Sequence, residues 1–489
     1  MSALLTPRDI VIPEGAAGRS RRLVVLLICS SSLFLAYLDT TILNVALPTI
    51  QRDLHTGLAA LQWVADVYLL VLSALLILAG STADRIGRKR LFMVGLIWFS
   101  AGSLLCSFAP NVESLVVLRM LQAVGGSMLT PVSLSIVRNV FTDPKERAQA
   151  LGIWSGIFGV ASACGPVVGG ILVSEVGWRS VFWVNVPVGI VMLLAARRYV
   201  PDSKAPRARR IDVPGQLLMI VFLGTLTYAV IEGPGWGWAS PAILVLFTVA
   251  VVSLAAFVIL ERRHPEPLLD PRFFRSPPFT GASVIAVLAF LVMAGFLFVA
   301  TLYLQQVRGD SPLRAGLSLL PATAMIAVWA PVAGQLNGRF GPRIPLVLGG
   351  VFMTAGAAVL TGLSASTSYG ILALGFGLLG AGLGLVNPPI TNTGVSGMPP
   401  AQAGVAGAVI SATRQLGQVL GVAVMGAMLS VGAVSGSPVL SAAAGRTFAV
   451  ATRAPWWLAV ACGALIALTG WITTSVKARE TARAVAEAS

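Results

Sequence analysis

Apolar residues along this chain fall into fourteen runs, near 22–44, 59–80, 91–109, 113–137, 149–172, 179–199, 211–232, 240–261, 279–304, 315–336, 344–364, 369–393, 403–432 and 454–475. Each is long enough to cross the roughly 30 Å of a bilayer's hydrocarbon at about 1.5 Å per helical residue. The polar stretches between runs are short, and two of them, 197–210 and 261–278, are basic and contain proline. They set runs seven and eight apart from six runs on either side. The pattern predicts an all-α integral membrane protein with fourteen transmembrane helices, built as two six-helix bundles with a two-helix insertion between them. The expected divisions are a tail at 1–21, a first bundle at 22–199, a linker and insert at 200–278 (spans 211–232 and 240–261), a second bundle at 279–475 and a tail at 476–489.

Composition sharpens this. Of 489 residues 56% are hydrophobic and 11% charged, with a mean hydropathy of +0.85, a composition suited to a polytopic membrane protein. The net charge of +15 would suggest nucleic acid in a soluble protein. Here it reports topology, because an N-terminus placed in the cytoplasm puts 26 of the 34 basic residues on the cytoplasmic side. Six fall outside (Arg52, Arg179, Arg308, Arg314, Arg446 and Arg453) and two, Arg119 and Arg414, lie within spans. Both termini are therefore expected in the cytoplasm, and nucleic acid is not an expected partner. Trp178, Trp236, Trp238, Trp456 and Trp457 sit at external edges, as an aromatic belt would. The basic stretch from Arg8 to Arg22 precedes an apolar run without an Ala-x-Ala cleavage site, so it reads as a retained first span.

Several chemistries find no residues to carry them. Cys29, Cys106, Cys164 and Cys462 are scattered through apolar runs, and His55 and His264 fall in loops, so neither disulfides nor a metal centre is expected. Gly375-x-Gly377-x-x-Gly380 matches a dinucleotide fingerprint in letters only, since an apolar helix surrounds it; packing is the expected reason. No Gly-Lys-Ser/Thr phosphate loop is present. No cofactor and no enzymatic activity are expected.

A repeat relates the outer sixes. Gly80-Ser-Thr-Ala-Asp84-Arg85-Ile-Gly87-Arg88 and Gly334-Gln-Leu-Asn-Gly-Arg339-Phe-Gly341 align their glycines and first arginine at a constant offset of 254. Repeated halves are a common build of transporters whose site lies between them near the midplane. In the first loop Asp84 is placed to pair with arginines on neighbouring helix ends and so latch one state.

Charges inside spans carry the functional reading, because an ionisable group at bilayer depth is costly and defaults to an ion, proton or substrate pathway. Asp39, Asp66 and Arg119 each lie five to seven residues from an external span end, which puts them in one layer roughly 8–10 Å deep. They are the expected proton-coupling set. The competing readings are a carboxylate that merely packs among hydroxyls for Asp39 and a helix N-terminal acid for Asp66. The second bundle has Arg414 but no acid within its spans. Candidates for a substrate cavity are Thr40, Asn44, Gln122, Asn387, Asn392, Arg414 and Gln415, with Gln305, Gln306 and Gln418 as further polar residues; Asn387-Pro388-Pro389 is expected to break span twelve.

At this point the chain resembles a known family. Gly80-x-x-x-Asp84-Arg85-x-Gly87-Arg88-Lys89 is similar to the loop signature of the major facilitator superfamily, and Arg119-x-x-Gln122 with Gly125-Gly126 resembles its fourth-span signature, with Ala123 at a usual glycine. Gly156 and Gly165-Pro166-x-x-Gly169-Gly170 resemble its antiporter element, though helix packing is an equal explanation. Leu38-Asp39-Thr40-Thr41-Ile42-Leu43-Asn44-Val45-Ala46-Leu47-Pro48, Trp178-Arg179 and Asn185-Val186-Pro187-Val188-Gly189 look like the fourteen-span drug:proton antiporter branch, the QacA and EmrB relatives. The resemblance spans 22–475. It implies multidrug efflux by alternating access in a bacterial cytoplasmic membrane, with inward proton movement exchanged for amphipathic, cationic drugs or antibiotics, and a working monomer in lipid. A dedicated exporter of one metabolite or self-made antibiotic is the rival; a non-transporting receptor is more remote. Thirty arginines against four lysines suggest a GC-rich bacterial source.

Overall fold

A computed structural model describes residues 16–204, 212–263, 271–396, 403–433, 448, 450–475 and 481. The expected tails, apart from 16–21 and 481, and the linker stretches 205–211 and 264–270 lie outside these. Every described element is helical: α1 Ala16–Asp53, α2 Leu58–Ile86, α3 Arg88–Cys106, α4 Val112–Val140, α5 Pro144–Glu175, α6 Ser180–Trp183, α7 Asn185–Tyr199, α8 Val213–Trp236, α9 Pro241–Arg263, α10 Pro277–Leu302, α11 Pro312–Ser318, α12 Leu320–Phe340, α13 Arg343–Leu360, α14 Tyr369–Ser396, α15 Ala403–Ala433 and α16 Arg453–Thr473. A 3₁₀ turn at Pro271–Arg275 precedes α10 and a π turn at Tyr303–Val307 follows it.

Thirteen helical segments are long and apolar enough to cross a membrane among the described residues. They correspond to every expected span except the thirteenth, where the 31-residue α15 stands, carrying Arg414, Gln415 and Gln418. α1 packs on α4, α5 and α7, α2 on α4, and α3 on α4 and α7; α10 packs on α14, α15 and α16, while α13 packs on α14 and α16. α8 pairs with α9 and leans on α2 and α15; α5 meets α11 and α12, and α2 meets α15.

Proline accounts for two interruptions. Pro187 cannot donate to the Trp183 carbonyl and Pro321 cannot donate to Leu317, and the helix lapses for one residue at Val184 and Leu319. The expected break at Asn387-Pro388-Pro389 does not occur, for α14 runs unbroken from Tyr369 to Ser396. Tight neighbours hold it straight: a Cβ on Gly384 would lie 2.9 Å from the Ile326 carbonyl of α12, and one on Gly382 would lie 2.6 Å from the Gly349 carbonyl of α13. In apolar surroundings such packing preserves a helix whose prolines remove two donors. Gly380 of the spurious fingerprint likewise packs against Ala322, and Gly375 against Leu360.

The aromatic belt is smaller than expected. Trp236, Trp238 and Trp457 are exposed, but Trp178 and Trp456 are buried; Trp178 stacks under Arg179 at 4.3 Å and against Phe182. The repeat holds in backbone geometry, with Gly87 at φ +110° and Gly341 at φ +78° turning α2 into α3 and α12 into α13. Side chains disfavour those angles, which explains glycine at both equivalent positions.

Candidate functional site

Asp39 sits at the junction of α1, α4 and α7. Close approach of α3 to α4, where a Cβ on Gly102 would lie 2.6 Å from the Gln122 backbone, turns the polar stripe of α4 towards α1. Arg119 Nη1 donates to Asp39 Oδ2 at 2.6 Å, while Gln122 Nε2 at 2.8 Å and Asn185 Nδ2 at 2.7 Å both donate to Oδ1. Arg119 Nη1 also donates to Gln122 Oε1 at 2.8 Å, and its guanidinium lies 4.4 Å above the Tyr68 ring. Asn185 Nδ2 donates on to Ser103 Oγ at 3.0 Å, and Ser103 to the Phe182 carbonyl at 2.9 Å. Asp39, Arg119, Gln122, Asn185 and Ser103 are all buried.

The arrangement is a carboxylate held by one cation and two amides, with six helices contributing. A proton added to Asp39 would turn an acceptor oxygen into a donor facing N–H groups. It could be accommodated only if Arg119 or the amides let go.

Two sequence expectations change here. Gln122, expected at a substrate cavity, instead belongs to Asp39 and is fully buried. Asp66 is fully buried in α2, yet neither of its oxygens accepts a hydrogen bond, and Asp39 and Arg119 make no bond to it. Asn185, noticed only as part of a resemblance, is a direct partner of Asp39; amides give no burial signal of their own in a sequence. Glu232, at the expected edge of span seven, accepts a hydrogen bond from Trp63 Nε1 of α2 at 2.8 Å.

A central cavity lies beside this network. Thr40 and Asn44, one and five residues beyond Asp39, line it with Tyr37 and Gln418, and the rest of its wall is largely apolar. Asp39 and Asp66 are not on that wall. Asn387 lines a smaller cavity whose wall shares Met293, Ile326 and Leu383 with the first. Asn392 is exposed and lines neither cavity, and Arg414 and Gln415 of α15 are not lining residues of either.

Close contacts seal the end of the cavity away from the Arg-rich loops. Gln305 Nε2 donates to the Val45 carbonyl at 2.9 Å, Gln306 Nε2 to Gln51 Oε1 at 2.6 Å, Gln62 Nε2 to the Ala423 carbonyl at 3.0 Å, and the Leu313 amide to Ser174 Oγ at 3.2 Å. The α5 glycine stripe lies within this seal. Gly165 and Gly169 abut Thr41 and Ile42 of α1, Gly170 abuts Pro312 and Leu313, and Gly316 of α11 abuts the Pro166 carbonyl. Gly156 belongs to no such contact: a Cβ there meets nothing within 4 Å, and the same holds for Gly334 and Gly338 towards the other end. In the loop, Asp84 Oδ1 accepts from Arg88 Nη2 at 3.0 Å, and the Arg88 amide donates to the Ser203 carbonyl at 2.9 Å. Gly80 meets nothing within 4 Å of an added Cβ, and Arg85 is exposed.

Relatives with this pattern are known. The multidrug resistance protein Stp of Mycobacterium tuberculosis is 39% identical over 409 residues, 84% of this chain and 76% of Stp. The tetracenomycin C resistance and export protein of Streptomyces glaucescens is 40% identical over 425 residues, 87% of this chain and 79% of that protein. The methylenomycin A resistance protein of Streptomyces coelicolor is 38% identical over 397 residues, 81% and 83% of the two chains. In fold, the chain matches a bacterial homologue of the human lysosomal transporter Spinster, solved inward-facing and unoccupied, at a TM-score of 0.66 and 20% identity, covering 95% of this chain and 98% of that one. Residues 29–422 match the Major Facilitator Superfamily, and with these relatives the match establishes that the chain belongs to that family of membrane transporters.

Proposed function

We propose that this protein is a proton-coupled antiporter that exports amphipathic drugs or antibiotics by alternating access. The observation that carries the reading is the buried Asp39 carboxylate, tied to Arg119, Gln122 and Asn185 directly behind the cavity wall formed by Thr40 and Asn44. A proton on Asp39 loosens α1 from α4 and α7, and α1 in turn rests on the α5 glycines that seal one end. Asp66 serves as the second proton site, and the Gly80–Arg88 loop controls opening at the other end. The names of the relatives, multidrug resistance and antibiotic export, agree with this.

The chain is read as fourteen spans with α15 the thirteenth and both termini in the cytoplasm of a bacterial cell, in two six-helix bundles around the α8–α9 insert, working as a monomer without cofactor. On that orientation the sealed end faces outward and the cavity belongs to an inward-open state. At about 100 mV, one inward proton supplies about 2.3 kcal/mol, enough for an approximately fifty-fold gradient of a neutral cargo. The cationic cargo suggested by the resemblance would meet no carboxylate on the cavity wall, so its charge is left out of this proposal.

A dedicated exporter of one antibiotic is a second reading, favoured by relatives named for single compounds. Proteoliposomes holding the purified chain, loaded under an imposed pH gradient, test the first reading. Dye movement that requires the gradient and vanishes in Asp39→Asn supports it; movement unaffected by collapsing both gradient and potential overturns it. Resistance of an efflux-deficient host to one compound only would select the second.

A further inference from the structure

Arg414 is a charge without a counter-charge. It lies about eleven residues, or roughly 16 Å, inside α15, at a depth where an isolated guanidinium is costly. Within residues 279–475 the sequence has a single acid, Asp310, which is engaged by Arg308 and Arg314. Arg414 forms no ion pair among the described residues. Its Nη2 donates to the Asn387 carbonyl at 3.2 Å and to Thr391 Oγ1 at 2.6 Å, whereas its Nε is buried without a partner. Two contacts to neutral oxygens fix the group in place and leave donors on Nε and Nη1.

The position of those donors gives them a use. The guanidinium lies 5.4 Å from the centroid of Phe290, and Phe290 and Asn387 both line the smaller cavity that adjoins the central one. A fixed cation beside the Phe290 ring, on the margin of an otherwise uncharged cavity, suits a planar aromatic ligand bearing a negative group. Guanidinium donors to a carboxylate are among the stronger hydrogen bonds available to a protein.

We propose that Arg414 is the recognition point for an acidic group, a carboxylate or phenolate, on an aromatic cargo seated across the two adjoining cavities. The proposal deepens the exporter reading by giving the cargo a chemical class, and it rests on that reading only for the word cargo. Asp39 and Arg119 neutralise one another behind the wall, so Arg414, against Asn387 and Phe290, is the uncompensated charge beside the smaller cavity. Cargo with a fixed positive charge would be disfavoured at the same place.

The test is equilibrium binding of pyrenebutyrate and of its methyl ester, matched in shape and differing in charge, to the purified full chain in detergent. The expected result is acid bound about tenfold more tightly than ester, with Arg414→Gln removing the difference and Arg414→Lys retaining part of it. Equal binding of acid and ester by the unmodified chain overturns the proposal, as does an Arg414→Gln protein that loses both ligands equally, because bracing α14 through Asn387 would then be the residue's whole role. If Arg414→Gln does not stay monodisperse, Arg414→Lys and the effect of acid and ester on the thermal stability of the unmodified chain decide the question. Failure of gradient-driven transport with the acid preference intact would overturn the exporter reading and leave the Arg414 site standing.

Discussion

Replacing Asp39 with asparagine keeps the side chain's size and removes its charge. The amide introduced there would present either an N–H to Arg119 Nη1, which now lies 2.6 Å from Oδ2, or an N–H to the amides of Gln122 and Asn185 at 2.8 and 2.7 Å. Arg119 is fully buried and would lose its anionic partner, keeping Gln122 Oε1, the face of Tyr68 and at best a neutral amide oxygen at position 39. Breaking one side of a buried pair costs about 3–5 kcal/mol, and because Gln122 Oε1 and the Tyr68 ring remain against the guanidinium a loss at the low end, about 3 kcal/mol, is expected. The Asp39→Asn/Arg119→Gln double variant removes both charges and should recover most of that loss, while proton-driven transport stays absent in both. Melting in detergent and gradient-driven dye transport in proteoliposomes read the two quantities separately. An Asp39→Asn protein that melts and transports like the unmodified chain refutes the reasoning, and so does a double variant whose destabilisation is the sum of the singles.

Asn185→Ala should cost about 1–3 kcal/mol and slow transport, because Asp39 loses a charge-assisted donor while the Ser103 hydroxyl loses its link to the network; unchanged melting would remove Asn185 from the site. Gly316→Ala pushes a methyl into the Pro166 carbonyl and should lower disulfide cross-linking between cysteines placed at Ser174 and Leu313, at an overpacking cost of about 1–3 kcal/mol. Gly156→Ala meets open space and should leave that cross-link unchanged; equal effects of the two would deny the seal. Asp84→Asn weakens a partly exposed ion pair with Arg88 and should change melting by only about 0–1 kcal/mol, so any large fall in transport would come from gating rather than folding.

Much of the molecule is legible in its letters because hydrocarbon imposes a simple rule: a span must be apolar, long and helical. Helices stand at all fourteen predicted positions, and the 254-residue repeat reappears as paired positive-φ glycines at Gly87 and Gly341. Depth counting alone pairs Asp39 with Arg119, and the geometry joins them. Depth does not fix azimuth, so Asp66 shares the layer in sequence yet bonds to neither. The same ambiguity moves Gln122 from the cavity to the carboxylate and leaves Asn185 visible in the sequence only as part of a resemblance.

The prolines of α14 show the other limit. Local propensity favours a break at Pro388-Pro389, and contacts from α12, α13 and Arg414 override it. The sequence by itself determined the placement of apolar helices, the duplicated loop and the cost of each buried charge, since these depend on local composition and its transfer from water. Tertiary structure alone decided which polar groups meet, which glycines seal and where Arg414 stands relative to a cavity. Those outcomes depend on helix rotation and on close packing between segments far apart in the chain.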